Sequence, residues 1–151
     1  PHRPDGFYGL AKCFTEDLGR MYWEKSGLEA VCLRIYSAAA VVSSRSLSTW
    51  LSYDDLIQLV TRAIDTPTVG FTISYGISNN DRSVVDNSAA TYLGYKPKDN
   101  AEQYADEILA NAPLSDPQDL AQMCHGGPFA ATPMGESGMA HLKIIDDKKK
   151  T

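Results

Sequence analysis

Metal and disulfide chemistry have little to work with in this sequence. Its 151 residues include three cysteines, an odd number, with no C-x-x-C pair and no Cys/His ligand spacing, so neither a disulfide framework nor a zinc site is supported. Cys13 lies in a helical pattern, Cys32 in an apolar run and Cys124 beside His125 in a loop-like segment; all three read as reduced thiols of a cytoplasmic protein. Long hydrophobic runs are missing too, and uncharged stretches this short exclude a transmembrane helix. No basic segment leading into an apolar one opens the chain, so nothing suggests secretion. Positive charge is scarce: the formal net charge is -5, which disfavours nucleic acid and anionic membrane as partners. The one basic cluster, Lys148 to Lys150, reads as a solvated tail. Ser43-Ser44 and Ser46-Leu-Ser48 form no nucleophile elbow, which leaves a hydrolase without support.

What is present is an ordinary globular composition, 43% hydrophobic and 22% charged, at a length suited to one domain. After a turn at Pro4-Asp5-Gly6, the recurrence of Leu10, Phe14, Leu18 and Met21 predicts a helix from Phe7 to Ser26, ended by Gly27. Glu16 and Arg20 are spaced as an exposed i,i+4 pair. Tyr22 and Trp23 widen the apolar surface beyond one stripe, which suggests burial on a second side against another subunit. Glu29 to Ser37 is nearly continuous apolar sequence, the habit of a parallel strand buried on both faces. Residues 38–49 have no period and read as a loop. Ser52-Tyr-Asp-Asp55 resembles a capping box opening a helix with Leu56, Ile57, Leu59, Val60 and Ile64. The two aspartates belong in a first turn, where carboxylates favour the macrodipole. Phe71, Ile73, Tyr75 and Ile77 alternate with small polar residues, a second strand. Asp81 and Asp86 read as turn residues. A short helix from Asp86 to Tyr92, stopped by Gly94, and another from the Asp99-Asn-Ala-Glu102 signal to about Ala112 complete the pattern. From Pro113 onward Pro, Gly, Ser and Asp dominate, and a mobile charged tail is expected.

Helix, strand, helix, strand, helix is α/β order. Two strands that both look central leave a sheet short of neighbours. The expected organisation is therefore the C-terminal part of a Rossmann-like doubly wound parallel sheet whose N-terminal nucleotide-binding half is absent. Residues 1–112 would supply that part, and residues 113–151 a loop-rich segment and tail.

One pentad carries chemistry. In Tyr8-Gly-Leu-Ala-Lys12 a phenol and an ammonium stand four apart, so on a helix they share a face. A nearby cation favours a phenolate, typically by about 1–3 pKa units against a tyrosine reference near 10. A tyrosine so tuned can take a proton from a hydroxyl near neutral pH. Such a pair also occurs on ordinary helices, and spacing alone does not separate the two.

The wider pattern does. Tyr8-Gly-Leu-Ala-Lys12, Leu33-Arg-Ile-Tyr-Ser37, the run Arg45 to Asp55, Tyr75-Gly76, Asp86-Asn87, Pro97-Lys-Asp-Asn100 and Gly126-Gly-Pro-Phe129 follow one another in a familiar order. Together they resemble the extended short-chain dehydrogenase/reductase (NAD-dependent epimerase/dehydratase) family, and within it the bacterial uronate dehydrogenases. The resemblance implies NAD as cofactor and a small-molecule uronic acid, glucuronate or galacturonate, as substrate, oxidised at C1 to an aldarolactone. It implies Tyr8 as general base, and Lys12 as the residue that tunes Tyr8 and binds the nicotinamide ribose. Ile35 would lie against the nicotinamide, Ser37 would contact substrate and Arg45 would hold the uronate carboxylate. Phe129 would correspond to an aromatic at the site mouth. A homo-oligomer, or a complementing N-terminal half, is the implied protein partner.

The sequence also departs from that pattern. The glycine-rich βα turn for a pyrophosphate, the acidic residue for the adenine ribose and the serine or threonine that assists the tyrosine do not occur in this chain. Tyr36 stands where the relatives have a smaller residue, and the stretch from Ala38 to Ser44 is one residue shorter. The chain by itself is accordingly expected to be inactive. Two rivals stay open: a nucleotide-sugar epimerase or dehydratase using the same Tyr and Lys, and a non-catalytic interaction module.

Overall fold

The structure, a computed structural model, describes residues 2–112, 116–124 and 126–133. The expected mobile tail lies largely outside these residues. By internal contacts the chain divides into two units, Pro1–Phe14 with Ser115–Thr151, and Thr15–Leu114.

The larger unit is built on two strands. β1 (Ala30–Ile35) and β2 (Phe71–Gly76) pair in parallel, from Ala30 opposite Phe71 to Ile35 opposite Gly76. A parallel pair needs a crossover, and here it contains α2 (Ser44–Thr49) and α3 (Tyr53–Asp65). β1 extends through a parallel bridge between Ser37 and Trp50. α1 (Phe7–Ser26) begins in the smaller unit and ends as predicted at Gly27, whose φ of 71° is left-handed and suits a residue without a side chain. In this unit α1 turns its smallest residue to the sheet: a Cβ at Gly19 would lie 3.5 Å from the Phe71 ring and 3.8 Å from Cys32 Sγ. Trp23 packs against Gly70. Leu18, Met21 and Tyr22 are exposed.

Several expectations need correction. β1 is not buried on both faces: all its residues are partly exposed, Ile35 most of all, because among the described residues only β2 pairs with it. Residues 38–49 are not all loop. α2 forms because Ser43 accepts a hydrogen bond from the Ser46 amide while the Ser46 hydroxyl takes the Ser43 amide, a capping box on six residues too few to show a period. Glu16, spaced as a helix partner of Arg20, reaches across to the strand. It grips the Arg34 guanidinium with two hydrogen bonds of 2.7 Å, and Arg20 pairs with Glu24. A half-buried fork across helix and strand offers better geometry than an exposed i,i+4 pair. The segment after Asp86 is a 3-10 helix, Ser88–Leu93, ended by Gly94, and a second 3-10 turn, Ala101–Tyr104, leads into α4 (Ala105–Asn111).

The core lies beside the crossover. Leu47, Leu51, Leu59, Ala101 and Ala105 are buried, with Val41, Trp50 and Ile108 packed around Leu47 and the two alanines. Buried polar groups tie this layer to the strand ends. The Trp50 carbonyl accepts from the Ser78 amide and the Asn80 side chain, and Asn80 Oδ1 accepts from the Ala101 amide. Asn87 holds the free edge of β2 by bonding both the N–H and the C=O of Tyr75. Among the described residues no helix is long and apolar enough to cross a membrane.

Candidate active site

In the smaller unit, the first turns of α1 carry the pentad. Leu10 N–H donates to the Gly6 carbonyl, so the helix begins on the Asp5-Gly6 turn. Tyr8 and Lys12 share a face as their spacing predicts: Lys12 Nζ lies 5.2 Å from the centre of the Tyr8 ring. Both are exposed, Tyr8 at 59%. Gly126-Gly127 leads into α6 (Pro128–Ala131), with Gly127 at φ 58° and Pro128 at the first helical position, where its missing N–H costs nothing. This turn presents Phe129, whose ring stacks on Tyr8 at 5.2 Å and 17°. A Cβ at Gly126 would meet the Asp5 carboxylate, which would have to turn aside for any larger residue. A phenol with an ammonium beside it and an apolar ring on its face is chemically suited to move a proton to or from a hydroxyl.

In the larger unit, Ile35 and Ser37 stand at the carboxyl end of β1 and Arg45 on α2. Ile35 closes the strand, 45% exposed, and passes so near Gly76 that a Cβ there would lie 2.9 Å from Ile35 Cγ1 and 3.3 Å from Leu51 Cδ2. Ser37 sits in the bridge to α2: its N–H donates to the Thr49 carbonyl and its C=O accepts from the Leu51 amide. Arg45 stands in the first turn of α2, partly exposed. Thr49 links the two. Its Oγ1 donates to the Arg45 carbonyl at 3.2 Å and lies 3.4 Å from Ser37 Oγ. The structure thus brings Ser37 and Arg45 to one short element.

Electrostatics are concentrated beside this end of the sheet. Arg34 Nη1 donates to the Tyr75 hydroxyl, and Tyr75 stacks on Tyr36 at 6.0 Å. Hydrogen bonds to Glu16 hold the Arg34 guanidinium more firmly protonated than usual, against the opposing effect of burial. Burial pushes the Tyr36 and Cys32 ionisations up. Asp55 departs from the capping role expected of it. Its amide is capped by Ser52 Oγ, but its carboxylate is buried and accepts the amides of Lys98 and Asp99 at 2.9 and 3.1 Å. Neighbouring Tyr95 donates to the Ile77 carbonyl, and burial first, then the charges of Asp55 and Asp99, raises its ionisation. Sequence reasoning missed Thr49, Asp55, Asn80 and Asn87 as organising residues. Their partners lie on other elements or across a helical turn, and no local pattern marks them. Among the described residues no cluster of three His, Cys, Asp or Glu could hold a metal ion.

Comparison with known proteins shows what the whole chain is similar to. No family model matches the chain. It is 42% identical over 135 residues to a uronate dehydrogenase of Agrobacterium fabrum, covering 89% of this chain and 51% of that protein. It is 46% identical over 132 residues to a uronate dehydrogenase of Pseudomonas putida, covering 86% and 48%. A crystal structure of an Agrobacterium tumefaciens uronate dehydrogenase mutant complexed with NAD superposes with a TM-score of 0.85 at 40% identity, covering 91% of this chain and 52% of that one. Fold and sequence together define a Rossmann-like α/β architecture, the class to which the solved uronate dehydrogenases belong. Within that class the chain is uronate dehydrogenase-like, and it spans about half the length of the curated relatives it matches.

Proposed function

We propose that this chain supplies the proton-transfer and substrate-binding part of an NAD-dependent uronate dehydrogenase, one that oxidises glucuronate or galacturonate at C1 to the aldarolactone. The observation that carries this reading is the Tyr8–Lys12 pair on the first turns of α1, in a chain alike in sequence and fold to uronate dehydrogenases. Tyr8 accepts the proton of the anomeric hydroxyl. Lys12, an ammonium beside the phenol, stabilises the phenolate and donates to the nicotinamide ribose. Ile35 offers an exposed apolar side chain that fits the flat face of a nicotinamide. Ser37 meets a substrate hydroxyl, and the Arg45 guanidinium pairs with the uronate carboxylate. The donor set suits NAD: an ammonium and a phenol fit a ribose diol. When bound, NAD supplies the hydride acceptor.

We place the protein in the cytoplasm, a reading supported by three free thiols. A homo-oligomer or a complementing half is supported by the apolar side chains that α1 leaves exposed. The chain alone has no glycine-rich turn for the pyrophosphate and gives no NADH by itself.

The test is a fusion of the first half of the Agrobacterium fabrum enzyme to this chain, assayed with glucuronate and NAD. Tyr8→Phe keeps the ring and removes the ionisable oxygen, so kcat falls by about 10²–10⁴-fold with little change in NAD affinity. Near-normal turnover in that variant would show that another group is the base.

A further inference from the structure

A hydroxyl has one proton to give, and the hydrogen bonds around Thr49 decide where two such protons go. Thr49 is fully buried, and its Oγ1 is 3.2 Å from the Arg45 carbonyl, which can only accept. The Thr49 proton is therefore committed to that carbonyl. The remaining neighbour of Thr49 Oγ1 is Ser37 Oγ at 3.4 Å, a long contact in which either hydroxyl could donate; with the Thr49 proton on the carbonyl, Ser37 is the donor. Ser37 is then left with lone pairs on the side away from Thr49. The backbone keeps the arrangement in register, since the Ser37 amide donates to the Thr49 carbonyl and the Leu51 amide to the Ser37 carbonyl. Ser48 Oγ donates to the same Arg45 carbonyl at 2.9 Å, so the first turn carrying Arg45 is tied twice to the end of its own helix.

We propose that Thr49 is a positioning residue that fixes Ser37 as a hydrogen-bond acceptor, so that Ser37 recognises a donating sugar hydroxyl of the substrate and not its carboxylate. The same Thr49 hydroxyl ties that choice to the turn bearing Arg45, the residue read as the carboxylate's partner. Two ends of one uronate are thereby sorted by one buried side chain: Ser37 Oγ offers lone pairs, and the Arg45 guanidinium offers protons. This assignment rests on the uronate reading of the site.

The experiment uses the fusion described above and compares kcat/KM for glucuronate with that for its 2-, 3- and 4-deoxy analogues. In the unmodified fusion, removing the hydroxyl that meets Ser37 lowers kcat/KM by about 2- to 10-fold, the range of one neutral hydrogen bond. Ser37→Ala abolishes that discrimination at one position only. Thr49→Val, which keeps the shape and removes the hydroxyl, reduces discrimination at the same position through KM more than kcat, and Thr49→Ser restores it. A packing defect alone would lower all the analogues alike. Unchanged discrimination in Thr49→Val, or a uniform loss across the analogues, would overturn the role of Thr49 while leaving the uronate reading intact. An unmodified fusion that does not oxidise glucuronate would overturn that reading, and this assignment with it.

Discussion

Asp55→Ala removes the carboxylate that holds the turn before the second 3-10 segment to α3. Asp55 is 2% exposed and accepts the amides of Lys98 and Asp99 at 2.9 and 3.1 Å. A hydrogen bond to a charged acceptor contributes about 1.5–3 kcal/mol, which for two such bonds sets an upper bound of about 3–6 kcal/mol. Relief of the carboxylate's own desolvation offsets part of this, leaving a net loss of about 2–4 kcal/mol. Urea denaturation of the chain measures it as a fall in midpoint at unchanged slope. Hydrogen exchange localises it, because the amides of Lys98 and Asp99 lose protection before those of β1 and β2. Asp55→Asn adds a second readout. It removes a charge that raises the Tyr95 ionisation, so the Tyr95 phenol titrates lower while burial still holds it above an ordinary tyrosine. Stability within about 0.5 kcal/mol of the parent, the size of an ordinary surface change, with both amides still protected, would refute the clamp.

Three further outcomes follow from the same geometry. Gly76→Ala places a methyl against the Ile35 backbone and the Leu51 side chain, and overpacking of this kind costs about 1–3 kcal/mol in thermal or urea unfolding; an unchanged Tm would mean that the strand end yields freely. Burial first, then the Glu16 charge, raises the Cys32 thiol ionisation, so Cys32 alkylates slowly in the folded chain at about pH 8 and rapidly in urea. Because the folded value lies above the unfolded one, the associated stability is full below about pH 8.5 and is lost as pH rises through the folded value, a limb that Cys32→Ala flattens. In the fusion, Arg45→Met lowers kcat/KM for glucuronate by about tenfold or more, since one charged hydrogen bond is worth at least about 1.4 kcal/mol; an unchanged value would place the anion site elsewhere.

The parts legible in the sequence are those set by local chemistry. The bounds of α1, the positions of both strands, the Ser52 cap and the Gly27 and Gly94 stops follow from periodicity and from residues that act on their near neighbours. The Tyr8–Lys12 proximity follows from helical spacing alone. What sequence reasoning missed depends on residues far apart in the chain. Nothing in Glu16 shows that it will reach Arg34, eighteen residues on. Nothing in the Ser52 to Asp55 signal shows that the last carboxylate will hold amides more than forty residues away. α2 was hidden because a six-residue helix offers less than two turns of pattern, and the serine at its third position was not recognised as half of a cap. The Ser37–Thr49–Arg45 relay stayed out of sight for the same reason: it exists only once α2 does.

The account turns on whether residues of this chain perform uronate oxidation, and NADH formation by the fusion reads that directly. With glucuronate and NAD the account predicts one NADH per lactone formed, little or none with neutral glucose, and near-complete loss in Tyr8→Phe. Equal rates with glucose and glucuronate, or uronate-dependent NADH that persists in Tyr8→Phe, would contradict it.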